Sequence, residues 1–193
     1  MMTLFEIIFL IGTALSWLIR VVYAWGSRES RRADRRALAP EWPQLALVGV
    51  TLFLLPVVSI FTPWLRFADY RLPAWAGWGG AVLLAGALLL LWRAHADLGR
   101  AFSPAVVFKP DHPLVTHGVY RWMRHPMYAA FWLWALAQPL LLWNWLAGWG
   151  LLPAYALLYF LRVPREERLL LEHFGDSYHE YMARTGRVWP RRQ

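Results

Sequence analysis

The sequence predicts an all-α, polytopic membrane protein with about five transmembrane helices and further helices in a carboxyl-terminal tail. Three observations carry that prediction. Hydrophobic residues make up 59% of the 193, while charged residues reach only 17%, against roughly 25% in ordinary soluble domains. Apolar stretches repeatedly attain the ~20 residues that a helix needs to cross hydrocarbon. No train of short alternating strands is present that could close a barrel, so helices must satisfy the backbone of each crossing segment.

Five stretches qualify in order: Leu4 to Trp25, Trp42 to Phe61, Trp75 to Trp92, Met127 to Trp143 and Trp145 to Leu161. The first lacks a basic leader and a small-residue cleavage site, so it reads as a retained span. Glu6 and Arg20 lie near its ends, where long side chains reach the headgroups. Trp25, Trp42, Trp75, Trp92, Trp143 and Trp145 bound the spans, as amphipathic rings do at the interface.

Orientation follows from the arginines. Arg28, Arg31, Arg32, Arg35 and Arg36 crowd the loop between the first two spans and predict that it is cytoplasmic. Alternation then places the amino terminus outside, with residues 93 to 126 and the tail inside. The tail's Arg165, Arg168, Arg184, Arg187, Arg191 and Arg192 agree.

Only "WNW" separates the last two spans, which predicts a hairpin that carries residues 112–128 and 162–181 to one membrane face. In the tail, Pro164 suits the first turn of a new helix and Glu166 and Glu167 its positive end. Gly175 suits a stop, and Ser177 with Glu180 has capping-box spacing for a second short helix.

Composition excludes several chemistries. Without cysteine there are no disulfides, thiolate zinc sites, iron–sulfur clusters or thiol nucleophiles. The net charge of +8 does not imply nucleic acid, because the basic residues cluster beside apolar spans. Six histidines (His95, His112, His117, His125, His173, His179) include no pair with the spacing and interposed Glu of a zinc protease, and no metal is expected. G-x-S-x-G, G-x-G-x-x-G and Walker patterns are missing, and Ser103 precedes Pro104.

What remains is concentrated in two places. "HGVYRWMRHPMY" (117–128) carries Arg121 and Arg124, which orientation and anchoring already explain, but also a His-Pro step that bars helical geometry at His125. Arg162, at the inner end of the last span, precedes Glu166 by one helical turn. Taken alone, that pair reads as an i,i+4 ion pair contributing about 0.2–0.5 kcal/mol.

Together the blocks G-x-Y-x-x-x-R-H-P-x-Y and E-E…F-G-x-x-Y-x-x-Y resemble the isoprenylcysteine carboxyl methyltransferase family, integral-membrane enzymes that use S-adenosylmethionine. The resemblance runs from about His95 to Pro190. It implies that His112, Pro113, Leu114, Val115, Tyr120, His125, Pro126, Met127, Tyr128 and Glu166 bind the cofactor. It further implies that Glu166 holds the cofactor's amino group and Arg162 the acceptor's carboxylate. A cofactor-contacting glutamine of eukaryotic relatives falls on Ala105 here, a departure at the adenosine end.

The expectation is therefore a single membrane domain over 1–193: three spans in 1–93, and a cofactor-binding catalytic part in 94–193. It lies in a cell membrane, the inner one in a bacterium, with a cytoplasmic site, a lipophilic or lipidated acceptor, membrane lipids as partners and no nucleic acid; nothing in the sequence indicates an oligomeric state. The alternatives are a phospholipid amine N-methyltransferase, which needs a base such as His173, Tyr178 or a glutamate near Arg162, a sterol-reductase-like enzyme, and a non-catalytic membrane module.

Overall fold

A computed structural model describes residues 2–24, 41–99 and 114–191. The expected fold class holds: the elements among the described residues are helices. They are α1 (Leu4–Ala24), α2 (Trp42–Phe61), α3 (Ala74–Leu98), α4 (Pro126–Leu142), α5 (Trp145–Trp149), α6 (Leu151–Phe174) and α7 (Asp176–Arg184). Short 3-10 turns occupy Arg66–Ala68 and Gly118–Arg121.

Four helical stretches are long and apolar enough to cross a membrane: Leu4–Tyr23, Trp42–Phe61, Ala74–Leu98 and the nearly continuous Trp145–Phe174. The fifth expected span, α4, is a shorter apolar helix of 17 residues. At ~1.5 Å per residue it is about 25 Å long, a little under the thickness of a hydrocarbon core.

Local chemistry sets the helix ends. The Glu6 carboxylate accepts from the Thr3 amide at 2.6 Å and the Thr3 hydroxyl accepts from the Glu6 amide at 3.2 Å, a capping box that opens α1. Arg20, at the other end of that helix, places its guanidinium 5.8 Å from the Phe131 ring centre.

Inside α2, residues Val50–Leu54 take a π-helical turn, in which the Leu55 amide donates to Val50 O. Pro56 has no N–H to give, so the Thr51 carbonyl has no donor from its own helix. Gln138 of α4 supplies one: its Nε2 donates to Thr51 O at 2.9 Å and to Ala147 O at 2.6 Å, and the side chain is fully buried. One amide thus ties α2, α4 and α5 together where water cannot serve.

The α3–α4 pairing is the most extensive in the described chain. Gly80 permits it, since a Cβ there would lie 2.8 Å from Leu140 Cβ and 3.2 Å from Ala137 O. Around this contact Phe9, Leu84, Leu91, Trp134, Ala135 and Leu141 form the buried core.

The expected hairpin is present, closed by Trp143 in the left-handed conformation (φ 48°) and by Asn144. Asn144 Oδ1 caps α5 by accepting from the Leu146 and Ala147 amides, and its Nδ2 donates to Leu65 O and Asp69 Oδ1 at 2.7 Å each. This locks the bundle end opposite the polar blocks.

Two readings of the tail are corrected. Pro164 does not begin a helix; it lies inside α6, which runs unbroken through Leu151–Phe174. A proline removes a single donor and bends a helix without ending it when flanking residues are well packed, and Val163 and Glu167 are both buried here. Gly175 does stop α6, with φ 54°, but the Ser177–Glu180 capping box does not form: Gly175 itself is the cap and α7 has no side-chain cap.

Candidate active site

The first block begins with a close approach. Gly118 (φ 60°) packs so tightly on Asp97 of α3 that a Cβ would fall 2.1 Å from its carboxylate, and the Val119 amide donates to Asp97 Oδ2 at 2.8 Å. Arg93 holds the same carboxylate at 2.9 Å. The resulting 3-10 turn buries Tyr120, whose carbonyl accepts from Tyr181 Oη at 2.6 Å. Burial pushes both phenols above their usual pKa, so Tyr181 stays a donor.

Met123 then pairs with Gly186 in the chain after α7, where the Arg124 and His125 amides donate to Gly186 O and Arg187 O at 2.9 Å each. His125 has φ −125° and ψ 62°, outside helical geometry, as the following proline requires, and Pro126 opens α4. The His-Pro step therefore aims His125 and Tyr128 at α6.

Glu166 and Glu167 are neighbours on α6 and point about 100° apart, so each gathers its own partners. One oxygen of Glu166 accepts from Tyr128 Oη at 2.7 Å and from Arg162 Nε at 2.7 Å. Glu167 accepts from Arg124 Nε and Nη2 at 3.2 Å each and from Arg187. His125 stands between them, Nδ1 4.0 Å from Glu166 and Nε2 3.4 Å from Glu167.

Arg162 has a second anionic neighbour, Glu41 at the start of α2, at 3.4 Å. An aromatic wall backs the cluster: Tyr155 Oη donates to Tyr128 O at 3.0 Å, and Tyr128, Trp132, Tyr155 and Tyr159 meet ring to ring between α4 and α6.

The structure thus brings together His125, Tyr128, Arg162 and Glu166, with Pro126 and Met127 in the first turn of α4 between the first two, and Tyr120 joined through Tyr181 and the tail. Leu114 and Val115 are half-buried in the non-helical approach to the Gly118 turn, and no hydrogen bond ties them to Glu166 among the described residues. His112, Pro113, Ala105 and the arginine-rich loop lie outside the described residues. Of the bases considered for an amine acceptor, His173 is exposed and Tyr178 is buried. Among the described residues no His, Asp and Glu group could hold a metal ion.

Four participants had been given no site role from the sequence. Arg124, read as a border anchor, is buried: its side chain is 8% exposed against 6% for Glu167. Its Nη1 also takes the Met182 and Thr185 carbonyls at the end of α7, groups a helix terminus leaves orphaned. Glu167, Arg187 and Glu41 complete the set. The signal for Arg124 and Glu167 was their adjacency to His125 and Glu166, but adjacency does not reveal which side chains meet.

Fold and site define a helical, membrane-type protein with an ion-paired polar cluster at one end of its bundle. Residues 80–172 match the model of the isoprenylcysteine carboxyl methyltransferase (ICMT) family. Two relatives are the protein-S-isoprenylcysteine O-methyltransferase of Schizosaccharomyces pombe, 41% identical over 48% of this chain and 40% of that protein, and protein-S-isoprenylcysteine O-methyltransferase A of Arabidopsis thaliana, 29% identical over 66% of each. A solved structure of the eukaryotic intramembrane Ras methyltransferase ICMT superposes with a TM-score of 0.56 at 28% identity, covering 77% of this chain and 52% of that one. The chain thus spans about half the length of that solved relative. Over residues 80–172 it is thus similar in sequence to the ICMT family, and over most of its length it is similar in fold to that solved relative.

Proposed function

We propose that this chain is an integral-membrane methyltransferase that moves a methyl group from S-adenosylmethionine to the carboxylate of a lipophilic acceptor such as a prenylated cysteine. The observation that carries the reading is the Arg162–Glu166 pair at 2.7 Å, a cation and an anion side by side under an aromatic wall at the polar end of the bundle. The similarity to protein-S-isoprenylcysteine O-methyltransferases supports the same reaction class.

The residues present fit the cofactor's groups. Glu166, between Tyr128 and His125, would offer carboxylate oxygen to an ammonium, and the Tyr128 and Tyr159 rings would stand by a sulfonium as aromatic neighbours. Tyr120, His125, Pro126, Met127 and Tyr128 would line the donor's site, with His112, Pro113, Leu114 and Val115 before them. When bound, S-adenosylmethionine supplies an electrophilic methyl group.

Arg162 would turn the acceptor carboxylate toward that methyl by a charge-assisted contact. A carboxylate is already ionised near pH 7, so the chain need supply no base. Its main contribution is alignment, which can lower a barrier by roughly 7–11 kcal/mol. Glu41 and Glu166 keep Arg162 oriented beforehand. The membrane would deliver the oily acceptor between helices, and the donor would enter from the cytoplasmic side. In this reading 94–193 is the catalytic part of one membrane domain, and 1–93 contributes Glu41 at its edge.

The test is transfer of radiolabelled methyl from S-adenosylmethionine to a farnesylcysteine analogue, set against phosphatidylethanolamine. The expected product is a base-labile methyl ester on the farnesylcysteine analogue. Label in phosphatidylethanolamine alone would overturn the carboxylate reading in favour of an amine acceptor.

A further inference from the structure

Apart from the Glu166 cluster lies a cavity of about 510 Å³, walled by Thr116, Arg121, Trp122, Arg184, Thr185 and Arg191, with Tyr181 behind. Its size falls in the roughly 300–1,000 Å³ range of small-ligand sites. Three arginines line it and no carboxylate does. The donor's ammonium and sulfonium would find no anion there, so its chemistry is opposite to that of the Glu166 cluster.

The walls are built, not incidental. The Trp122 carbonyl accepts from the Gly186 amide at 3.3 Å and from the Arg191 amide at 3.2 Å, which holds the Arg191 segment against Arg121. Thr185 Oγ1 donates to Tyr181 O at 2.6 Å, fixing the end of α7 that carries Arg184. Arg184 donates Nε to Glu180 O at 3.3 Å and lines the cavity. Arg121 lies 5.6 Å over the Trp122 ring. Among the described residues none of the three arginines has a carboxylate partner.

Position names the anion. Trp122 stands just ahead of Pro126, where α4 begins, and both Trp122 and Trp189 are exposed, as aromatic rings at a lipid headgroup layer are. We propose that Arg121, Arg184 and Arg191 form a binding site for the phosphate of an anionic phospholipid headgroup, separate from the Glu166 cluster. It would seat the tail, and with it Arg124 and Arg187, against the membrane surface.

The test is native mass spectrometry of the full chain in neutral detergent, with phosphatidylglycerol set against phosphatidylcholine of the same acyl chains. Each arginine beside an anionic headgroup contributes roughly fivefold in affinity. The expected result is a preference for phosphatidylglycerol that falls on the order of a hundredfold in the Arg121→Gln/Arg184→Gln/Arg191→Gln variant. It should survive in Arg168→Gln, an exposed arginine outside the cavity. The triple Arg→Lys variant, which keeps the charge, should retain most of the preference.

Four results would overturn the proposal: no preference in the wild type, equal loss in Arg168→Gln, displacement of the lipid by S-adenosylmethionine, or inorganic phosphate binding as tightly as the lipid. The last would make the ligand a free phosphate.

Discussion

Tyr128 and Arg162 converge on the same oxygen of Glu166, each at 2.7 Å, one from α4 and the other from a turn earlier on α6. That oxygen joins the two sequence blocks directly. It also means that the donor-binding and acceptor-binding roles assigned to Glu166 and Arg162 belong to groups in contact.

The roles remain separable because Tyr128 holds Glu166 without Arg162. Arg162→Ala should leave donor affinity nearly intact and lower transfer by ~100-fold or more through lost alignment. Glu166→Ala should weaken donor binding by roughly ten- to a hundredfold, the worth of a hydrogen bond to a charged group. Calorimetric titration of both variants with S-adenosylmethionine, alongside turnover, checks the assignment; the opposite pattern would reverse it.

Arg124 and Glu167 form a buried pair, and removing one partner strands the other. Arg124→Met should destabilise the protein by about 3 kcal/mol, moderated by Arg187, which still faces Glu167. The double variant Arg124→Met/Glu167→Leu should lose less than the sum of the single changes. Thermal unfolding in detergent reads all three; strict additivity would show that the pair is not coupled.

Gln138→Leu should cost about 2–4 kcal/mol, since it leaves the Thr51 and Ala147 carbonyls without their donor in a dry interior. Adding Pro56→Ala restores an N–H within reach of the π turn and should recover part of that loss. Denaturant unfolding of the single and double variants makes the comparison, and a Pro56→Ala change that recovers nothing would show that Thr51 O does not depend on Gln138.

Gly118→Ala introduces a Cβ where Asp97 sits and an unfavourable positive φ. The strain alone costs about 1–3 kcal/mol. Because the same turn places Tyr120, donor affinity should fall with stability. Asp97→Ala in the Gly118→Ala background removes the clash and should restore part of the stability, though not the Val119 hydrogen bond. Melting temperature with and without S-adenosylmethionine distinguishes the two effects.

Much of this architecture could be read along the chain. Spans declare themselves through composition, and His-Pro and Gly175 are punctuation whose geometry is local: a ring that forbids helical ψ at the preceding residue, and a residue that tolerates φ 54°. Pro164 misled because the same ring is compatible with a first turn or with a bent interior. The packing of Val163 and Glu167 decided between them.

The order of apolar and polar stretches by itself determined an all-helical bundle with its polar blocks at one end, because hydrocarbon admits few ways to satisfy a backbone. It also displayed the residue types of the site, Arg162, Glu166, His125 and Tyr128. Only the tertiary structure decided that Arg124 turns inward to Glu167, that Glu41 reaches Arg162 across the bundle, and that Arg121 shares a separate cavity with the tail's Arg184 and Arg191. Those outcomes depend on which side chains meet after distant segments pack, and a charge acquires its partner only then.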